Sequence, residues 1–193
     1  MDPIARFVEL LERAKKTPAI AEPIGMTLST VGANGRPSAR VVLLKGIDAQ
    51  GLVFYTNTRS RKGREIAGQP GVSLIFWWPQ LESQVRFEGN AVRVADAEAD
   101  AYYATRPRIS QLGAWASDQS APLRSREELE ERVAELERKY EGRSVPRPPH
   151  WSGYRVAPLA VEFWRNRPGR LHERDLYTRA SPGAPWTLTF LNP

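Results

Sequence analysis

The chain contains no cysteine. A disulfide framework, a thiolate zinc site and a cysteine nucleophile are therefore excluded together. Of its two histidines, neither stands at ligand spacing from a second histidine or a carboxylate, so no metal is expected. Also missing are the glycine spacings of a Walker loop and of a dinucleotide-binding turn, which leaves those two nucleotide folds without support. No apolar run approaches the roughly 18 residues of a membrane span. The opening Met1-Asp2-Pro3 lacks the basic start and apolar stretch of a signal peptide. A cytoplasmic protein that avoids membranes is expected. What is present is a chain of 193 residues, 41% hydrophobic and 26% charged. That length buries roughly 70% of its unfolded surface without staples. One domain over 1–193 is expected.

Basic residues outnumber acidic ones, 28 Lys+Arg against 22 Asp+Glu, for a net charge of +6. Clustered cations of this excess would suit nucleic acid. Here they are scattered, mostly Arg, and sit beside Ser, Thr, Gln or Tyr in strand-and-turn contexts, a pattern suited to discrete anion pockets. No nucleic-acid partner is expected.

Asp2 and Pro3 open a helix whose apolar positions Ile4, Phe7, Val8, Leu11 and Ala14 recur at helical spacing to about Thr17. From Met26 the period changes to 2. Strands are predicted over 26–31 and 38–44 around the turn Ala33-Asn34-Gly35, then over 51–56 after a polar turn at 48–50. A short helix over 60–67 and strands over 72–78 and 84–94 complete a barrel meander spanning 26–94. A helical excursion over 95–142 follows, with Asp96 and Ser110 as caps, Pro107 as an interruption, and a capping box at Ser125-Arg126-Glu127-Glu128. Residues 143–150 carry three prolines and read as a loop. Strand signals return at 154–156, 161–164, 176–179 and 186–191, within a C-terminal section of 151–193. The pattern implies a mainly β protein, an antiparallel barrel with peripheral helices.

Four constellations have chemical content. Arg40 and Lys45 lie five residues apart, on opposite faces of a regular strand, where each meets a different anion or is simply solvated. Residues 56–62, with Thr56, Ser60, Arg61 and Lys62, pack hydroxyls and cations onto a turn entering a helix, where free amides favour phosphate. Tyr102, Arg106 and Ser110 recur every four residues, so a continuing helix would turn a phenol, a guanidinium and a hydroxyl toward one phosphate; a surface Arg beside a half-buried Tyr is the competing reading. Arg170, His172 and Arg174 alternate as on a strand, and a histidine between two arginines can handle a proton or serve structure alone. Most of the six tryptophans are expected in the core, with one able to flank a flat cofactor.

Nine pieces in order, RVVLLK (40–45), FYTN (54–57), SRKG (60–63), QVRFEG (84–89), YYATRPRISQLGAW (102–115), SDQS (117–120), WSGYRV (151–156), EFW (162–164) and RLHER (170–174), resemble the pyridoxamine 5′-phosphate oxidase family. The resemblance runs from about Met26 onward. It implies a Greek-key split barrel that binds flavin mononucleotide (FMN) and dimerises, with each flavin site built from both subunits. By that pattern Arg40, Lys45, Tyr55, Thr56, Ser60, Arg61, Lys62 and Gln84 hold the flavin on one subunit, and Gln119, Ser120, Trp164 and Arg174 approach from the other. Lys45, Tyr102, Arg106 and Ser110 grip the substrate phosphate, while Arg170 and His172 sit by the pyridine ring as the catalytic pair.

The implied reaction is oxidation of pyridoxine or pyridoxamine 5′-phosphate to pyridoxal 5′-phosphate, with hydride passing from C4′ to the flavin and O2 reoxidising it to give hydrogen peroxide. Two readings compete with it: a sister oxidase acting on a larger ring such as a phenazine precursor, and a noncatalytic barrel that binds flavin, pyridoxal phosphate or nucleic acid. Two departures from the family stand out. The chain starts almost at its first helix, without the longer basic and aromatic segment common in the family, and it ends Phe190-Leu191-Asn192-Pro193 where Arg-Leu-Ala-Pro is usual.

Overall fold

The structure is a computed structural model that describes residues 2–193; Met1 lies outside the described residues. Helix α1 (Pro3–Lys15) begins as the sequence predicts. Asp2 accepts the Ile4 amide at 3.0 Å, and Pro3 occupies a first-turn position that needs no amide partner. The buried face of α1 lays Phe7 onto the sheet, 4.8 Å from both Phe76 and Phe87 between ring centroids. These rings, with Leu28, Leu52, Leu74 and Val156, belong to one large core cluster.

Among the described residues, nine antiparallel strands form the barrel: β1 (Gly25–Val31), β2 (Pro37–Leu43), β3 (Gly46–Asp48), β4 (Gly51–Asn57), β5 (Gly71–Trp78), β6 (Ser83–Arg93), β7 (Trp151–Arg165), β8 (Glu173–Thr178) and β9 (Thr187–Phe190). The order is β2-β1-β5-β6-β7-β4-β3, with β8 on β7 and β9 on β8. Residues 26–94 are therefore not a plain meander. β4 pairs with β7 rather than with β2, and β3 occupies the stretch before the turn, where Asp48 accepts the Gln50 and Gly51 amides.

The two strands predicted at 154–156 and 161–164 are one, β7, because Pro158 falls at a bulge opposite Glu88 and Gly89, where no ladder amide is needed. Along one edge β7 pairs with β6. On its other edge it serves β4 through 151–156 and β8 through 160–165, which is where the barrel splits.

The helices are α2 (Arg61–Gly68), α3 (Asp96–Ala104), α4 (Arg108–Ala116) and α5 (Arg126–Lys139). Two predicted caps are corrected. Asp96 is already helical and accepts from Arg93 and Arg147, and Ser110 lies inside α4 because Pro107, which needs no amide partner, takes the cap position before Arg108. Ser125 caps α5 as expected, but Glu128 reaches back to the Arg124 amide, one residue before the usual box partner. No helix among the described residues is long and apolar enough to cross a membrane.

Candidate active site

A cavity of about 480 Å³ opens where the end of β2, strand β4 and helices α2 to α4 meet. Arg40 and Lys45 both line it. The expectation that they face opposite ways fails because β2 stops at Leu43; Leu44 then bonds back to Ile24 and Lys45 across to Val53, which ends the alternation. Tyr102, Arg106 and Ser110 also line the cavity, although no single helix carries them. α3 ends at Ala104 and α4 starts at Arg108, so the turn between them, not a continuous helical face, brings the three together.

Tyr55, Thr56, Lys62 and Gln119 complete the predicted residues on this cavity. Lys62 is 8% exposed, and its Nζ donates to Thr56 Oγ1 at 3.2 Å and to Gln119 Oε1 at 2.9 Å. It has no carboxylate partner among the described residues. Burial, followed by the nearby Arg40 charge, lowers the ammonium's pKa. Arg106 is likewise without a carboxylate. Its guanidinium lies 4.6 Å over the Trp151 ring, its Nη1 is buried with no hydrogen-bond partner, and burial lowers its pKa. Burial also raises the Tyr102 phenol, with Arg106 opposing, so the hydroxyl stays a donor. Unpartnered buried donors and uncompensated cations are costly unless an anion completes them. The cavity fits phosphorylated ligands.

Arg40, on the cavity, has partners within the chain, whereas Ser60, Arg61 and Ser120 lie close by in sequence but do not line the cavity. Ser60 is buried and caps α2, accepting the Gly63 amide at 3.3 Å. Arg40 spends both Nη groups on Leu28 O, Thr30, Ser38 and Glu65. Arg61 binds Glu65 through Nε only, at 2.8 Å, with its side chain 59% exposed. Ser120 follows Gln119 in a left-handed conformation at φ 74°.

A second group of predicted residues lies elsewhere on the chain. In register, Trp77 pairs with Gln84, Gln84 with Trp164, and Trp164 with Arg174, a row across β5 to β8. His172 packs on Trp164 with centroids 4.5 Å apart, and its Nδ1 accepts the Arg167 amide at 3.3 Å. Arg170 sits in a 3-10 turn at φ 61°, and β8 begins only at Glu173, so Arg170, His172 and Arg174 do not alternate along one strand as predicted. None of this row lines the 480 Å³ cavity. Within one chain Gln119 bonds Lys62 and Gln84 pairs with Trp164, so the two glutamines stand in the opposite groups from those the resemblance implies.

Several supporting residues carried no predicted role. Asn57 accepts the Arg59 amide and donates to Ser117 O, clamping the 58–62 turn to the loop that carries Gln119. Trp151 stacks on Tyr55 at 5.3 Å and on Tyr102 at 6.2 Å. Gly153 leaves room for that stack, since a Cβ there would come within 2.7 Å of the Tyr55 ring. Gly63 lets α2 approach the turn, because a Cβ would fall 2.2 Å from Thr58 O. The pair Arg61 and Glu65, four apart on a predicted helix, was the one legible signal for a buried carboxylate here.

The family profile described as pyridoxamine 5′-phosphate oxidase matches residues 13–140, and the pyridoxine 5′-phosphate oxidase C-terminal dimerisation region matches residues 151–193. A pyridoxine/pyridoxamine 5′-phosphate oxidase of Myxococcus xanthus is 58% identical over 192 residues, covering 100% of this chain and 92% of that protein. The crystal structure of PhzG from Burkholderia lata in complex with tetrahydrophenazine-1-carboxylic acid superposes with a TM-score of 0.92 at 35% identity, covering 100% of this chain and 93% of that one. A pyridoxamine 5′-phosphate oxidase-related, FMN-binding protein from Nostoc punctiforme shares the fold at a TM-score of 0.78 and 20% identity, covering 100% of this chain and 98% of that one. With both profiles in sequence order and more than half of its residues shared with a full-length relative, this chain belongs to the pyridoxamine 5′-phosphate oxidase family.

Proposed function

We propose that this protein is an FMN-dependent oxidase that converts pyridoxine 5′-phosphate and pyridoxamine 5′-phosphate to pyridoxal 5′-phosphate. The observation that carries the reading is the pair of uncompensated cation centres in one cavity, Lys62 on the α2 side and Arg106 on the α3–α4 turn. One cavity with two such centres suits two phosphorylated ligands. Family membership names which two.

Lys62, Arg61 and the N-terminal amides of α2 hold the flavin phosphate, with Thr56, Gln119 and Ser120 as neutral partners. Arg106, Tyr102, Ser110 and Lys45 hold the substrate phosphate. Bound FMN supplies the redox chemistry, taking two electrons from substrate carbon and passing them to O2, which becomes hydrogen peroxide. The chain's own part is positioning and proton handling. His172 and Arg170 act at the pyridine ring, with His172 fixed against Trp164 and by the Arg167 amide. Because these residues and Gln84, Trp164 and Arg174 lie outside the cavity of their own chain, they serve the cavity of a second copy, so the active form is a homodimer with two shared sites. The match of residues 151–193 to a dimerisation region supports this arrangement.

We treat residues 1–193 as one cofactor-binding unit; the core cluster that joins α1, β1 and β7 supports that division. The enzyme is placed in the cytoplasm, where phosphate esters that do not cross membranes are retained.

The test is the visible spectrum of the purified protein under anaerobic conditions. Bleaching of the flavin band by pyridoxine 5′-phosphate is expected, and bleaching only by a reduced phenazine such as the tetrahydrophenazine-1-carboxylic acid bound in the structurally similar PhzG would transfer the reading to that ligand class. No bleaching by either would leave a binding barrel.

A further inference from the structure

Glu65 takes no part in the roles assigned above, yet it is among the most heavily bonded side chains of the fold. It is 9% exposed on the inner face of α2. Oε2 accepts from Thr30 Oγ1 at 2.5 Å, Ser38 Oγ at 2.6 Å and Arg40 Nη2 at 3.3 Å, and Oε1 accepts from Arg61 Nε at 2.8 Å. One carboxylate thereby ties β1, β2 and α2 together and touches two arginines, Arg40 on the cavity lining and the exposed Arg61 at the start of α2. The two are used differently. Arg40 is consumed by its own chain through both Nη groups, whereas Arg61, the first residue of α2, is gripped at Nε alone, which leaves its two Nη groups without a partner among the described residues. A guanidinium oriented in this way presents two parallel donors to a phosphate, a geometry that a lysine ammonium cannot reproduce.

We propose that Glu65 is a positioning residue for the cofactor phosphate, setting the Arg61 fork through Nε while Arg40, Thr30 and Ser38 hold the carboxylate in place. The proposal rests on the reading of Arg61 as a flavin-phosphate ligand and adds the residue that aims it. It makes a prediction opposite in sign to simple charge counting. Removing a buried negative charge beside a phosphate site should strengthen phosphate binding by Coulomb's law. Removing the group that aims Arg61 should weaken it.

The experiment is FMN titration of the apoprotein, followed by quenching of flavin fluorescence, in wild type, Glu65→Gln, Arg61→Ala, Arg61→Lys and the double variant Glu65→Gln/Arg61→Ala. Glu65→Gln is expected to raise the FMN dissociation constant about tenfold, in line with one charge-assisted hydrogen bond. It should add little in the Arg61→Ala background. Arg61→Lys, which keeps the charge but not the fork, should bind nearly as weakly as Arg61→Ala. Should Glu65→Gln fail to fold, the two Arg61 variants still decide, since that side chain is 59% exposed and its replacement leaves the core intact. Unchanged or tighter FMN binding in Glu65→Gln, or full affinity in Arg61→Lys, overturns the role of Glu65. Unchanged binding in Arg61→Ala instead overturns the assignment of Arg61 on which the proposal rests.

Discussion

Glu65 and Glu162 are both buried carboxylates that each hold two arginines, but their surroundings differ. Around Glu65 the chain closes on itself: two strands, a helix and the Gln119 loop converge near one cavity, where Lys62 is buried while Lys45 and Arg61 stay exposed. Glu162 is 4% exposed and bonds Arg86 at 2.5 Å and Arg174 at 2.7 Å, yet the row beside it is open, with Trp77 51% and Leu171 72% exposed. One group of predicted residues is held by the chain's own contacts around the cavity. The other is organised by the same device and less covered, on strands that include the region matched as a dimerisation segment. Apolar surface of this kind beside ordered polar groups is the mark of an interface. The contrast explains why the predicted residues fall into two groups within one protomer.

The sharpest way to break this comparison is to remove the chemistry from the open half. His172→Ala and Arg170→Ala are each expected to slow flavin reduction by about a hundredfold or more, the range of lost proton-transfer assistance, with FMN affinity nearly unchanged. Anaerobic stopped-flow reduction measures this, and unchanged rates in both would return the row to structure alone. Sedimentation of the yellow wild-type protein should give a dimer. A monomer retaining stoichiometric flavin would show that the enclosed half suffices.

Within the enclosed half, Lys62→Ala should weaken FMN about ten- to a hundredfold while leaving substrate affinity of the reconstituted enzyme little changed. Arg106→Ala should raise the substrate KM by a similar factor while the protein stays yellow. Fluorescence titration and steady-state kinetics on both variants separate the two pockets, and a reversed pattern would show them wrongly assigned.

A smaller effect is expected from Gly153→Ala, which forces a methyl group against the Tyr55 ring and Val94. A loss of about 1–3 kcal/mol in urea unfolding is anticipated from overpacking of this kind, with the aromatic floor of the cavity displaced. An unchanged midpoint would mean that Tyr55 moves freely.

Acid stability depends on Glu65 as well. Hydrogen bonds from Ser38, Thr30 and Arg61 outweigh the burial that opposes them and hold the Glu65 carboxyl down to about 2. Since this lies below the value of about 4.3 for an unfolded chain, its contribution is fully present above that pH and is lost as pH falls toward the folded value. The gap in melting temperature between wild type and Glu65→Gln should therefore narrow steadily as the pH is lowered from 5 to about 2. A gap independent of pH would show that the carboxyl is not held ionised by its neighbours.

Much of the fold was legible locally. Asp2, Ser60 and Ser125 begin helices where their side chains can accept an early amide, and the alternation from Met26 marks strands without reference to what they pair with. The candidate site was legible as residue types and motif order, because two phosphates demand cations, hydroxyls and amides in small clusters. Less visible were residues whose function is to hold others. Asn57 and Glu162 read as ordinary polar positions until the partners they bind are known, and Glu65 shows only its spacing from Arg61.

By itself, then, the sequence determined most element types, the caps at Asp2 and Ser125, and the family. Only the tertiary structure decided that β4 pairs with β7, that Arg40 and Lys45 share a cavity, that Pro158 rides a bulge inside one long strand, and that Gln119 lines the cavity while Gln84 pairs with Trp164 away from it. The physical reason is range. Caps, turns and periodicity are set by energies between residues a few positions apart, whereas strand partners and convergent side chains are chosen when the whole sheet closes around its core, which no local pattern records.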